Sequence, residues 1–179
     1  MPGFTLKLLL AGGTYVYPSS GLQTDVTGTL VSASALPGWR WTNGTAALAV
    51  YAGPIVQNYR LSPYDPGSLL HGFYVGGQLA ADLWYQPTPT TMAELNASIA
   101  SIALIGTARA AAGARVFGPF FVGPETQALW CIGYQQWRVG AHLTGLHIDG
   151  FEWSGSAGWA LESFGRAGPY FRLGVNTRL

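Results

Sequence analysis

The groups able to do acid–base, nucleophilic or metal chemistry in this sequence are few: eight acidic residues, nine basic ones, three histidines and one cysteine in 179 residues. His142 with an acid such as Glu125 or Glu152 is the combination that could activate a serine, since a triad needs a base that an acid orients. No G-x-S-x-G turn occurs to present such a nucleophile, so no enzyme is expected. His71, His142, His147 and Cys131 lack the short spacing that a metal requires, and neither a metal nor another cofactor is expected. As the single cysteine, Cys131 closes no internal disulfide and reads as a small apolar residue, buried or on the wall of the fold. The charges nearly balance at net +1 and form no runs, which excludes nucleic acid and polybasic membrane binding as modes of recognition.

What remains is a set of polar residues spread along the chain: Asp82, Glu94, Asn96, Arg109, Arg115, Glu125, Gln127, Arg138, His142, Glu152 and Arg172. Acids and bases in near-equal number suit salt bridges and hydrogen bonds that fill a narrow, enclosed interior. The same residues could instead line a hydrophilic path or a sugar-binding surface.

Short β-strands are the elements that would gather them. Charged residues make up 9% of the chain against roughly 25% in a typical soluble domain, while 49% is apolar. A helical membrane protein would need roughly 18 consecutive apolar residues, but the longest run, Ala46 to Ala52, stops at Gly53-Pro54. The 25 Gly and 11 Pro, with many aromatics, favour strands and tight turns. Punctuation by Gly, Pro, Asn, Asp and Ser predicts ten strands near 4–17, 24–41, 45–61, 69–85, 92–104, 107–117, 120–132, 134–147, 150–161 and 169–179. Gly106, Asn43-Gly44 and Asp149-Gly150 are among the expected turns.

Alternation with period two decides which face is which. In the fourth strand Phe73, Val75, Leu79, Ala81, Leu83 and Tyr85 oppose Tyr74, Gln78, Asp82 and Trp84. The sixth sets Ala108, Ala110, Ala112, Ala114 and Val116 against Arg109 and Arg115, and the eighth and tenth alternate likewise. Strands two and three alternate less clearly, so their register is open. A soluble sandwich or lipocalin-like barrel would carry its polar face outward. Here the polar faces are too sparse for a solvent surface, which predicts an all-β, antiparallel, up-and-down transmembrane barrel of about ten strands, one domain over 1–179. Tyr15, Tyr17, Trp39, Trp41, Tyr59, Trp84, Tyr85, Trp130, Tyr134, Trp153 and Trp159 fall towards strand ends, where aromatic girdles at the membrane interfaces would place them. His71 and His147 also fall near strand ends and read as solvated or interfacial.

Beyond this pattern the sequence resembles the cellulose biosynthesis protein BcsS family of alphaproteobacteria. The resemblance rests on Leu36-Pro37-Gly38-Trp39-Arg40, Ala52-Gly53-Pro54, Arg60-Leu61-Ser62-Pro63 with Asp65-Pro66-Gly67, Asp82-Leu83-Trp84-Tyr85 with Pro87 to Met92, Arg115-Val116-Phe117, Val122-Gly123-Pro124-Glu125, His142 to Leu146, and Glu152-Trp153-Ser154. It implies a barrel in the bacterial outer membrane, structural or export-accessory, linked to cellulose production. Outer-membrane lipid, and a β-glucan or the cellulose-synthesis machinery, are the implied partners. A barrel that binds a protein partner in an envelope assembly is the alternative. Met1-Pro2-Gly3 opens no signal peptide, so an outer-membrane protein would need a leader upstream. Up to twelve strands are expected if the N-terminus is incomplete. Glu162 to Arg166 departs from the family in being less polar, and Leu179 stands where barrels often end in an aromatic.

Overall fold

The computed structural model describes residues 2–19, 21–116, 118–132, 134–148, 151–163 and 165–177. Among these residues the chain is all-β, with ten antiparallel strands in one sheet whose order follows the sequence. The strands are β1 Gly3–Ser19, β2 Thr24–Thr42, β3 Ala46–Ser62, β4 Gly72–Thr88, β5 Thr91–Ala100, β6 Gly106–Arg115, β7 Phe121–Cys131, β8 Tyr134–Ile148, β9 Phe151–Glu162 and β10 Ala167–Thr177. Each pairs with its neighbour as a meander, and the sheet curls into an incomplete barrel. Among the described residues no ladder joins β1 to β10. The expected Asp149-Gly150 turn, the His147 side chain and the final residues 178 and 179 lie outside the described part.

Local chemistry explains the turns. Asn43 Oδ1 accepts the Ala46 N–H at 2.8 Å, and Gly44 takes φ +88°, a left-handed value that costs a glycine little. Two expectations need correction. The fifth strand ends at Ala100 rather than 104, because Ala103 and Leu104 adopt positive φ and a single 3-10 turn at Ile102–Leu104 folds inward. Ile102 is thereby buried against Ile55, Tyr59 and Ala100, so apolar contact outweighs continued pairing. Gly106 is not a turn but the first residue of β6, and the Trp130 indole lies directly over it.

The register fixes the two faces. Lys7, Leu36, Gly53, Gln78 or Asp82, Asn96, Arg109, Gln127, Arg138, Ser156 and Arg172 point inward; the residues between them point outward. The inferred faces of β4 and β6 are the observed ones. Outward side chains such as Leu8, Val75, Leu79, Val139, Phe171 and Leu173 are exposed and apolar, and outward charges on the described strands are Asp25 and Arg60, both at one end of the sheet. Outward aromatics form two bands. Phe4, Trp39, Trp41, Tyr85 and Trp153 sit at the end holding the first residues of β1, and Phe73, Trp130, Trp137 and Trp159 at the other. Tyr15, Tyr17, Tyr59, Trp84 and Tyr134, expected with the girdles, point inward instead, because they fall on the polar phase of their strands.

Inward aromatics are accommodated by glycine. Tyr170 lies flat across Gly158 and Gly140, its cross-strand neighbours, and a Cβ at Gly158 would come within 2.9 Å of its ring and overlap the Val139 carbonyl. Gly158→Val is therefore expected to cost about 1–3 kcal/mol through overpacking, read as an earlier urea midpoint for the folded form. An unchanged midpoint would mean the ring does not occupy that place.

Candidate functional site

Adjacent strands bring most of the expected polar residues into one interior network. Lys7 Nζ donates to both carboxylate oxygens of Asp82 at 2.7 Å, crossing from β1 to β4. Asn96, facing Asp82 across the β4–β5 ladder, donates its Nδ2 to Asp82 at 2.9 Å and accepts Arg109 Nη1 on its Oδ1 at 3.1 Å. Arg109 also donates Nη1 to Glu94 at 2.6 Å and Nε to Glu125 at 2.7 Å. Glu125 further accepts Gln127 Nε2 at 2.5 Å and the Tyr170 hydroxyl at 2.9 Å. The Glu125 side chain is 0% exposed and that of Arg109 9%, so this pair depends on its partners for all of its solvation.

The other expected residues stand around this core. Arg138 donates Nε to Gln136 at 2.7 Å and lies over the Tyr170 ring; Gln136 in turn donates to Glu162 at 3.0 Å. His142 is buried, with Nδ1 at 3.0 Å from Thr144 Oγ1 and Nε2 at 3.2 Å from the Ala112 carbonyl. Arg115 is set apart, its guanidinium over the Phe121 ring, which stacks edge-on against Trp84. Glu152 is buried at the start of β9, and Arg172 donates Nε to Ser156 Oγ at 3.4 Å. Lys7 and Tyr170 are partners that sequence reasoning did not place in the network. The alternation of Lys7 against Phe4, Leu6 and Leu8 carried the signal, but nothing local tied it to Asp82, 75 positions away.

This arrangement is a network of ion pairs and hydrogen bonds on the inward face of the sheet. Both ring nitrogens of His142 are held by a hydroxyl and a carbonyl, which leaves neither aimed at a serine. Among the described residues no three of His, Cys, Asp and Glu gather as a metal site. Past the network, Ile55, Tyr59, Ala100 and Ile102 form a buried apolar cluster, with Leu30, Leu70 and Tyr74 packed on them.

With the curled sheet and its interior defined, the comparison with known families is decisive. The profile of the cellulose biosynthesis protein BcsS family matches residues 1–179. The chain belongs to that family. The BcsS assignment ties it to cellulose biosynthesis over its whole length. No curated protein and no solved structure matches it.

One loop of this BcsS-family chain is organised by a carboxylate outside the strands. Asp65 accepts the Gly67 N–H at 2.9 Å and the Tyr17 hydroxyl at 3.0 Å, joining the β3–β4 loop to β1. Burial alone would raise its carboxyl pKa, but the Gly67 amide and the Ser19 and Tyr17 hydroxyls hold it below the ordinary 3.8. Because the folded value is depressed, this contribution is present above pH 3.8 and is lost as pH falls through the lower folded value. A carbon-detected titration of the Asp65 carboxyl is expected to give a midpoint below 3.8; a midpoint above it would refute the capping role. Within the network, Arg109→Met leaves the buried Glu125 and the half-buried Glu94 without their cation and is expected to cost about 3–5 kcal/mol. Tyr170→Phe removes a single bond to a charged group, about 1.5–3 kcal/mol. Denaturation midpoints in detergent micelles check the order, and a larger loss for Tyr170→Phe would be inconsistent with Arg109 as the hub.

Proposed function

We propose that this chain is a non-catalytic β-barrel of a bacterial outer membrane that acts as a structural or export-accessory component of cellulose production. The observation that carries the reading is the inversion of the usual faces: apolar side chains point outward, while the ion pairs centred on Arg109 point inward. The two outward aromatic bands support it, since amphipathic rings favour the boundary between apolar and wet surroundings. On β1 the outward residues from Phe4 to Val16 cover about 40 Å of strand at ~3.3 Å per residue. Tilted by about 45°, that is close to the ~25 Å apolar band of such barrels. No helix among the described residues is long and apolar enough to cross a membrane.

The filled interior supports an anchoring or assembly role over conduction of a glucan chain. A recess on the outward face lined by Leu95, Ala108, Ala110, Ala128, Trp130 and Trp137, of about 340 Å³, supports the second reading, in which the wall docks a membrane partner of the cellulose machinery. The folded protein is expected in outer-membrane fractions, with heat-modifiable migration on detergent gels. Liposomes carrying it should leak cellulose oligomers no faster than empty ones. Solubility as a monomer without detergent would overturn the membrane reading, and oligomer flux would overturn the non-conducting role.

A further inference from the structure

The longest connection between the described strands, residues 63–71 between β3 and β4, is pinned from beneath. Leu70 packs on the buried cluster of Ile55, Tyr59, Ala100 and Ile102, and Asp65 accepts from the Gly67 amide and from the Tyr17 hydroxyl of β1. Tyr74 fixes the other limb: its hydroxyl donates to the Leu69 carbonyl at 3.0 Å and accepts the His71 N–H at 3.3 Å. The His71 ring is set by Nδ1, 3.2 Å from the Ser68 carbonyl. A loop tied at this many points presents a fixed outer surface. That surface offers an aromatic ring and no charge. Tyr64 is 60% exposed and Leu69 85%, and the His71 ring packs perpendicular to the Tyr64 ring with centroids 5.7 Å apart. Pro63, Pro66, Gly67 and His71 around them are exposed as well, and the single formal charge of the loop, Asp65, is buried.

The chemistry of such a surface selects its partner. A tyrosine already held in place buries a large area at little cost in conformational freedom, and its face suits a flat apolar surface. A β-linked glucose unit supplies one: its hydroxyls are equatorial, its axial C–H bonds form an apolar face, and it brings no ion that needs a counter-charge. The His71 ring and the loop backbone flank Tyr64 with polar groups that suit a rim of hydroxyls. A charged headgroup or a charged peptide would find no opposite charge exposed within 63–71. Loop length gives the surface its side of the membrane, because the longer loops of such barrels face the cell exterior. At the opposite end the connections between described strands run from two residues, 89–90, to five, 116–120.

We propose that the β3–β4 loop holds a β-1,4-glucan at the cell exterior, with the Tyr64 ring stacked on a glucose unit and His71 beside it. The inference rests on the membrane reading and deepens the accessory role in cellulose production, with the polymer as partner of a loop. It is tested by NMR titration of the full chain, in neutral detergent micelles, with cellohexaose. The hexamer should bind, and Tyr64→Ala should weaken it by about tenfold, the effect of one lost stacking contact. Tyr64→Phe, which keeps the ring, should stay within about twofold of the native chain. Tyr85→Ala removes an exposed ring from the outward wall and should change nothing. Heat-modifiable migration reports that each variant is folded. In a Cys131→Ala background, Leu69→Cys should react with a membrane-impermeant maleimide in intact cells. Thr90→Cys, in the β4–β5 turn, should react only once the outer membrane is opened. An unbound hexamer, an unchanged affinity in folded Tyr64→Ala, or the reverse labelling pattern would overturn the proposal. So would a protein that crosslinks to position 64 when cellohexaose does not bind. A folded, micelle-bound chain that ignores cellohexaose sinks this site alone, whereas a detergent-free soluble monomer removes the membrane reading beneath it.

Discussion

A sheet that curls on itself sends every second side chain of every strand into one narrow space, and any ion that enters must find its counter-ion there. Arg109 meets that constraint by facing both neighbouring strands at once: Glu94 and Asn96 on β5, and Glu125 on β7. Asn96 then carries the demand outward, because it accepts from Arg109 on one atom and donates to Asp82 on another, so the Lys7 pair and the Arg109 pairs become one structure. The shape of the wall follows from the same need. Tyr170 can reach Glu125 only by lying across β9 and β8, and it can lie there only because Gly158 and Gly140 leave the space.

The parts of this fold that were legible in the sequence are those where one phase of a strand is polar and the other is not. In β4 the alternation of Val75, Leu79 and Leu83 with Gln78, Asp82 and Trp84 gives both the strand and its faces. In β2 and β3 it fails, and the reason is physical: Val26, Leu36, Ile55 and Tyr59 point inward and are buried, so both faces are apolar and the period is masked. The strand β5 looked longer than it is because Ile102 and Leu104 continue the apolar pattern, although Ile102 turns inward to pack on Ile55. Aromatics near strand ends were grouped by position alone, yet the phase of Tyr59 and Trp84 sends them inside.

Pairing across the interior was not legible at all. The residues that share the lumen could be gathered by phase, but which acid meets which base depends on curvature, as the contact between Lys7 and Asp82 shows. Arg115 illustrates the reverse case. Its type and phase match those of Arg109, but its position towards the end of β6 sets it against Phe121 instead of a carboxylate.

Among the described residues Lys7, Asp82, Glu94, Arg109 and Glu125 are committed to each other, and the apolar cluster around Ile102 packs inside the same sheet. The edges of β1 and β10 are under a different physical demand. Backbone N–H and C=O groups along the free edges of β1 and β10 have no neighbour among the described residues, and an apolar surrounding offers them none. Arg166 answers the demand at a single carbonyl.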